Sequence, residues 1–337
     1  MNIGPFSLAN PVFLAPMSGV SDLPFRRLAM RFGAGAVVSE MIASEQLARF
    51  DNDAVLKSGG DGVFPHIVQL AGREAKWMAL GAKKARDCGA DIIDINMGCP
   101  AKKVTNGYSG SALMRDLDHA IGLIDAVVQA VDCPVSLKMR LGWDDRSLNA
   151  AELAKRAEAA GVQMVTVHGR TRCQFYDGSA DWAAIGAVKA EVKIPLVANG
   201  DVTSVHAAAR ALEMTGADGV MIGRGAYGRP WLAGHAAHYL ATGEVLPEPE
   251  GELLAQLIQD HYAAMLEHYG EAIGMRAARK HLAWYLEANG ERARTTSKEE
   301  RLRLLTNCDI QVVQNTIDAV FSRRVGTVSG ALNRNAA

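Results

Sequence analysis

Three observations in this 337-residue sequence predict an α/β fold: a (β/α)8 TIM barrel followed by a small C-terminal helical domain. Eight short apolar runs recur at regular intervals in its first two thirds. Amphipathic stretches fill most of the gaps between them. After Gly243 the strand signals stop and only helical patterns remain. Short runs of near-continuous apolarity mark strands buried on both faces, hence a parallel sheet. A barrel of this kind takes ~250 residues, which is the length available before the change.

The predicted strands are residues 12–15, 36–38, 65–68, 92–95, 135–137, 164–167, 196–198 and 219–222. Helical periodicity covers 23–32, 74–88, 116–131, 150–160, 182–188 and 204–214. Gly89, Gly161 and Gly216 follow three of these helices, where a left-handed C-cap is wanted. The barrel domain is thus 1–242. Residues 243–251 (GEVLPEPEG) form a linker by their proline and glutamate content. Helical patterns at 253–269, 274–288, 298–305 and 311–321 make a domain of 252–321, and 322–337 is expected to be a flexible tail.

Composition narrows the function classes. The chain is 49% apolar and 22% charged, with a net charge of -1. No apolar run reaches the ~18 residues of a membrane span. The start MNIGPFSLAN has neither the basic nor the apolar segment of a secretory signal. Five cysteines without a CxxC pair argue against a zinc ribbon, a dithiol redox motif and a disulfide scaffold. A cytoplasmic enzyme with no metal and no membrane partner is the expectation. The near-zero charge conceals an asymmetry: residues 241–275 carry seven acidic and no basic side chains, whereas 276–337 carry eleven basic and six acidic ones.

Barrel enzymes place their chemistry at the C-terminal ends of the strands. Here those ends are polar: Pro16-Met17-Ser18, Gln69, Asn96 through Pro100, Lys138-Met139-Arg140, His168-Gly169-Arg170, Asn199-Gly200-Asp201 and Gly223-Arg224-Gly225. A single Gln or His at such a place is more often a satisfied hydrogen-bonder than a ligand, but these must converge on one barrel mouth. The loops after strands seven and eight commonly hold phosphate, because glycine admits backbone N–H groups to an anion. Arg224 adds a planar donor fork. The GxGxxG at 223–228 is read as part of the eighth strand's turn, since it does not open a doubly wound sheet. Cys99 heads a loop at 101–110 rich in Gly, Ser, Lys and Asn, with Gly107 and Gly110 as expected hinges of a lid. A free thiol of ordinary pKa, ~8.5, is mostly protonated at neutral pH and can serve as an acid as well as a nucleophile.

The segments APMSGVSD (15–22), VQL (68–70), DINMGCP (94–100), KMR (138–140), VHGRT (167–171), NGD (199–201), IGRG (222–225) and RAARKHLAWY (276–285) together resemble the tRNA-dihydrouridine synthases, most of all their bacterial B-type branch. The resemblance spans nearly the whole chain in order. It implies FMN across the barrel mouth, with NADPH as reductant and tRNA as partner. Pro16, Met17 and Ser18 would line the flavin, and Gln69 would bond its pyrimidine edge. Lys138 would sit near N1 and the C2 carbonyl, and His168 would contact the flavin or its phosphate arm. Asn199, Gly200, Asp201, Gly223 and Arg224 would hold the phosphate. Hydride would pass from flavin N5 to uracil C6, and Cys99 would protonate C5. Asn96 would orient the uracil, with Arg140 or Arg170 neutralising charge. Arg276, Arg279 and Lys280 share one helix face and would contact RNA phosphates. The rival readings are an FMN barrel acting on a small pyrimidine or ene substrate, a lyase with Lys138 as Schiff-base amine, and a non-catalytic RNA-binding protein. The modified uridine, the preference for NADPH over NADH and the oligomeric state stay open, a monomer being favoured.

Overall fold

A computed structural model describes residues 1–323 of the chain. It divides into two compact units after Leu246. The first is a closed barrel of eight parallel strands: β1 (Val12–Leu14), β2 (Ala36–Val38), β3 (His66–Ala71), β4 (Ile92–Met97), β5 (Val135–Arg140), β6 (Met164–His168), β7 (Leu196–Asn199) and β8 (Gly219–Ile222). β8 pairs with β1 through Val220 and Val12, and β2 joins β3 through Val37 and His66, which completes the ring. A two-residue strand, Ile42–Ala43, pairs with Leu70 and Ala71.

The strands alternate as a pleated ribbon must. Ile93, Ile95, Leu137, Met139, Val165 and Val167 belong to the apolar layer under the helices. Phe13, Val38, Ile67, Ile92, Met164, Val197 and Met221 fill the barrel interior. Ile3 and Leu8 join that interior cluster, Ile3 from an antiparallel hairpin of Asn2–Ile3 with Phe6–Ser7. Two-residue strands show no period, so this hairpin is not legible in the sequence.

Nearer the C-terminal mouth the inward positions turn polar. Gln69, Asp94, Asn96, Ser136, Lys138, Thr166, His168 and Asn199 are all buried. For this reason β3, β4 and β5 run two or three residues past the apolar stretches that announce them. Hydrophobicity ends while backbone pairing goes on, through Leu70–Ile95 and Arg140–His168.

The predicted barrel helices form as Leu23–Arg31, Ala75–Asp87, Leu117–Val128, Ala150–Ala159, Trp182–Lys189 and Val205–Thr215. Asp181 caps its helix by accepting from Ala184 N (2.8 Å), and Ser204 does the same from Ala207 N (3.1 Å). Gly216 ends Val205–Thr215 with φ 60°, where a Cβ would be strained. Short helices at Ser44–Ala48 and Asn52–Lys57, and a longer one at Leu232–Thr242, went unread.

The second unit, described from Pro247 to residue 323, holds helices Gly251–Tyr269, Glu271–Ala288, Gly290–Thr295, Lys298–Thr306 and Ile310–Phe321. Leu257, Ile258, Met265, Leu282, Leu286, Ile317 and Phe321 are buried there. A Cβ on Gly274 would lie 2.7 Å from Met265 O, so the first two helices approach closely at that glycine. Most of the tail predicted at 322–337 lies outside the described residues.

Candidate active site

A cavity of about 470 Å³ opens at the C-terminal ends of the barrel strands. Pro16, Met17 and Ser18 line it from the β1 end, and Gln69, Asn96 and Cys99 from β3 and β4. Lys138, Arg140 and His168 come from β5 and β6. Asn199, Gly200, Asp201, Gly223 and Arg224 come from the two following loops. The structure therefore brings together every candidate site residue of the barrel except Arg170, which does not line the cavity.

Strand register places the polar side chains level with one another. Gln69 is opposite Asp94, and Asn96 is opposite Lys138. Gln69 Nε2 donates to Asp94 Oδ2 (2.6 Å), Asn96 Nδ2 donates to Gln69 Oε1 (2.8 Å), and Ser136 Oγ donates to Asp94 Oδ1 (2.6 Å). Lys138 Nζ donates to Asn199 Oδ1 (3.0 Å), and Asn199 Nδ2 to Met221 O (2.8 Å). A buried polar cluster without such partners would cost stability at every member. Asp94 was missed as a site residue because it sits inside an apolar run. Its spacing from Asn96, two residues on the same face of a strand, was the available signal.

Four cationic side chains, Lys138, Arg140, Arg170 and Arg224, face two carboxylates, Asp94 and Asp201, around the mouth. Burial, and then Arg140, lower the Lys138 pKa to about 8, with Asp94 acting in the opposite direction. Burial pushes Asp94 up, against the pull of Ser136, Gln69 and Lys138. Burial and the four cations hold His168 well below the ordinary histidine value, so its ring is neutral at pH 7. The site as a whole is electropositive and suits an anion.

The Cys99 loop is braced. Cys99 N donates to Asn96 Oδ1 (3.0 Å), while Cys99 O accepts from Ser111 N (3.1 Å) and Ser111 Oγ (2.8 Å). Gly110, expected to be a hinge, has φ 61°, and a Cβ there would lie 2.8 Å from Cys99 O. Its glycine serves close packing of the loop against the Cys99 main chain. The segment between folds into a short helix, Lys102–Thr105, and a 3-10 turn, Gly110–Arg115.

Arg140 and Arg170 are both buried, and their donors are engaged by the surrounding loops. Arg140 donates to Gly98 O (2.8 Å), Thr171 O (2.9 Å) and Phe175 O (2.8 Å). Arg170 donates to both oxygens of Asp201 (2.9 and 2.7 Å) and to Asp177 O and Gly178 O. Asp201 also accepts from Ala180 N (2.7 Å) and lies 3.8 Å from Arg224. Its carboxylate thus points at two arginines, Arg170 and Arg224. Burial alone would raise the Asp201 pKa, but the bonds from Arg170 and Ala180 hold it below the usual carboxylate value. Loop 171–181 brings Phe175 and Tyr176 to the cavity, with the Arg224 guanidinium 4.4 Å from the Tyr176 ring centre. No motif announces these two aromatics.

On the second unit Arg276 is exposed, while Arg279 and Lys280 are half-buried. Arg279 donates to Thr306 O (3.1 Å). Other basic residues of this stretch serve the fold. Arg292 is buried 5.4 Å from the Phe321 ring centre, Arg301 donates to Ala293 O, and Arg323 pairs with Glu300. Arg294, Lys298 and Arg303 are exposed; Arg324 lies outside the described residues.

The sequence is similar to a protein from Rhizobium leguminosarum named "Probable tRNA-dihydrouridine synthase", 60% identical over 83% of this chain and 86% of that one. It is 47% identical to "tRNA-dihydrouridine synthase B" of Pseudomonas putida, over 96% of this chain and 95% of the other. Among solved structures, morphinone reductase shares the barrel fold at a TM-score of 0.54 and 16% identity, covering 74% of this chain and 91% of that one. The sequence model of the family described as Dihydrouridine synthase (Dus) matches residues 13–318. With that match and the 60% relative, the chain belongs to the dihydrouridine synthase family of enzymes.

Proposed function

We propose that this enzyme reduces specific uridines of tRNA to 5,6-dihydrouridine, with FMN in the barrel-mouth cavity and NADPH as reductant, in the cytoplasm where tRNA is available. The observation that carries the reading is the pairing of a braced thiol, Cys99, with a buried cation, Lys138, in one electropositive cavity. The residues present fit FMN. Pro16 and Met17 offer an apolar bed, and Gln69 and Lys138 offer polar atoms for a pyrimidine edge. Arg224 with Gly200 and Gly223 offers a phosphate cradle.

FMN, when bound, supplies the hydride that adds to uracil C6. The protein's own residues do the rest. The cavity takes a uracil turned out of the RNA, because no enzyme reaches a base inside the stack. Asn96, held by Gln69 and by the loop N–H groups, orients the ring. Cys99 holds a proton on Sγ and delivers it to C5 as negative charge develops there. Lys138, charged below about pH 8, stabilises anionic character at the flavin's pyrimidine edge. Arg140 and Arg170 act through their field and by fixing the loops.

A pH dependence follows. Lys138 is a cation below about pH 8 and loses its proton above it. The rate of flavin reduction by NADPH, measured by stopped flow, is expected to fall as pH rises through that value. Lys138→Met should be slower and flat across the same window. A wild-type profile unchanged through pH 8 would remove Lys138 from this role. Stability runs the other way. The unfolded chain, with an ordinary lysine pKa, binds more protons above about pH 8, so this group adds stability as pH rises beyond it.

The second unit supplies phosphate contacts to the tRNA through the face carrying Arg276, Arg279 and Lys280. Replacing all three with alanine removes two or three contacts. The plot of log K against log salt should flatten by roughly 1.4–2.7 units, with NADPH oxidation by free enzyme unchanged. An unaltered slope would mean this face does not meet RNA. The flavin reading itself is tested by the absorption spectrum of the purified protein and the mass of the released chromophore. A colourless protein that is active as a lyase would overturn it.

A further inference from the structure

The buried polar groups beneath the cavity form a chain with a fixed direction. Its orientation is set independently at both ends. At the loop end, Asn96 Oδ1 accepts from the backbone N–H groups of Gly98 (3.2 Å) and Cys99 (3.0 Å). Backbone N–H groups can only donate, so this atom must be oxygen and Nδ2 must face Gln69. Gln69 then has to present Oε1 to Asn96 and Nε2 to its other neighbour. At the barrel end that neighbour is Asp94, whose two oxygens accept from Gln69 Nε2 and from the Ser136 hydroxyl. Both ends therefore demand the same orientation of the Gln69 amide, which is fully buried.

We propose that Asp94 is a positioning residue: it fixes the Gln69 amide facing the flavin edge, in the same direction that the Asn96 oxygen bracing the Cys99 main chain requires, so that one directional hydrogen-bond chain links the two. The flavin half of this inference rests on the function proposed above; the chain itself does not. Within it, Gln69 keeps one N–H and one lone pair of Oε1 for a further partner. Reversing the amide would exchange these two groups without moving a single backbone atom. Asp94 is thus removed from the flavin edge by one side chain, Gln69, and acts through it.

A double-mutant cycle tests this. In Asp94→Asn the new oxygen still accepts from Gln69, and the new NH2 turns to the Ser136 hydroxyl, so the direction survives and the effect is small. In Asn96→Asp a carboxylate stands at each end of the Gln69 amide, and one must face Oε1. Melting should fall by roughly 4–8 °C. The double variant moves the carboxylate from 94 to 96 at constant charge. Gln69 then reverses, Asn at 94 donates to Oε1, and every group is satisfied again. Its melting temperature should lie above that of Asn96→Asp alone. FMN affinity should remain weaker than wild type by roughly tenfold, because the N–H and the lone pair that Gln69 keeps for a further partner have exchanged places.

A double variant no more stable than the sum of the single losses would overturn the directional chain. Recovered stability with wild-type FMN affinity would overturn the positioning role toward the flavin. A wild-type protein that binds no FMN would instead contradict the proposed function, and the melting temperatures would still decide the chain.

Discussion

Cys99→Ala is expected to lower the formation of dihydrouridine in tRNA by ~10²–10⁴-fold, the usual worth of a positioned general acid. The variant should still bind FMN and should still be reduced by NADPH at the wild-type rate. The separation follows from where the thiol stands. Cys99 lines the cavity, but the hydrogen bonds that brace its loop come from its main-chain N and O, which alanine keeps. The loop is therefore expected to hold its shape while the C5 proton source is lost. Single-turnover assays, with dihydrouridine read by mass spectrometry of digested tRNA, give the chemical step directly. Full turnover by the variant would take the proton from elsewhere and remove Cys99 from the mechanism.

Asp201→Ala should be the most damaging change to the first unit at a residue outside the core. Arg170 is 2% exposed and is held by both oxygens of this carboxylate. Removing the partner leaves a buried guanidinium uncompensated, a loss of about 3–5 kcal/mol. The same change frees Arg224 and the Ala180 N–H, so FMN affinity should fall as well. Arg224→Ala separates the two effects. Its side chain is half-exposed, so FMN should be lost with little change in stability. Urea unfolding of the three proteins, with flavin occupancy measured on the same samples, checks both statements. An Asp201→Ala protein as stable as wild type would show that the Arg170 pair contributes nothing net.

The strand bodies were legible because their outward residues are apolar without interruption, as in Ile93 and Ile95 or Val165 and Val167. The mouth was legible as a set of polar residues following those runs. What the pattern could not convey is that Gln69 and Lys138 lie within paired strands and that Asp94 belongs with them. A carboxylate between Ile93 and Ile95 looks like an interruption until the register sets it opposite Gln69. Arg170 looked like a site residue from its motif, and only geometry shows its guanidinium spent on Asp201 and two loop carbonyls. Loop 171–181 has neither period nor motif, and the left-handed Phe175, φ 53°, is imposed by tertiary bonds such as Arg140 to Phe175 O. In the second unit the sequence shows a basic excess over 276–337 but not which of its side chains face solvent. Arg292 and Arg301 turn inward to carbonyls, because a long side chain can place a charge far from where its Cα stands.

Reduction of uridine in tRNA through one flavin site is the activity proposed for this chain. It is tested most directly by incubating the purified, flavin-loaded protein with NADPH and tRNA from cells that lack the corresponding gene. NADPH consumption should be matched one for one by dihydrouridine at a defined tRNA position, with Cys99→Ala consuming NADPH without forming the product. NADPH oxidation with no dihydrouridine from the wild-type protein, on tRNA that still carries the unmodified uridines, would contradict it.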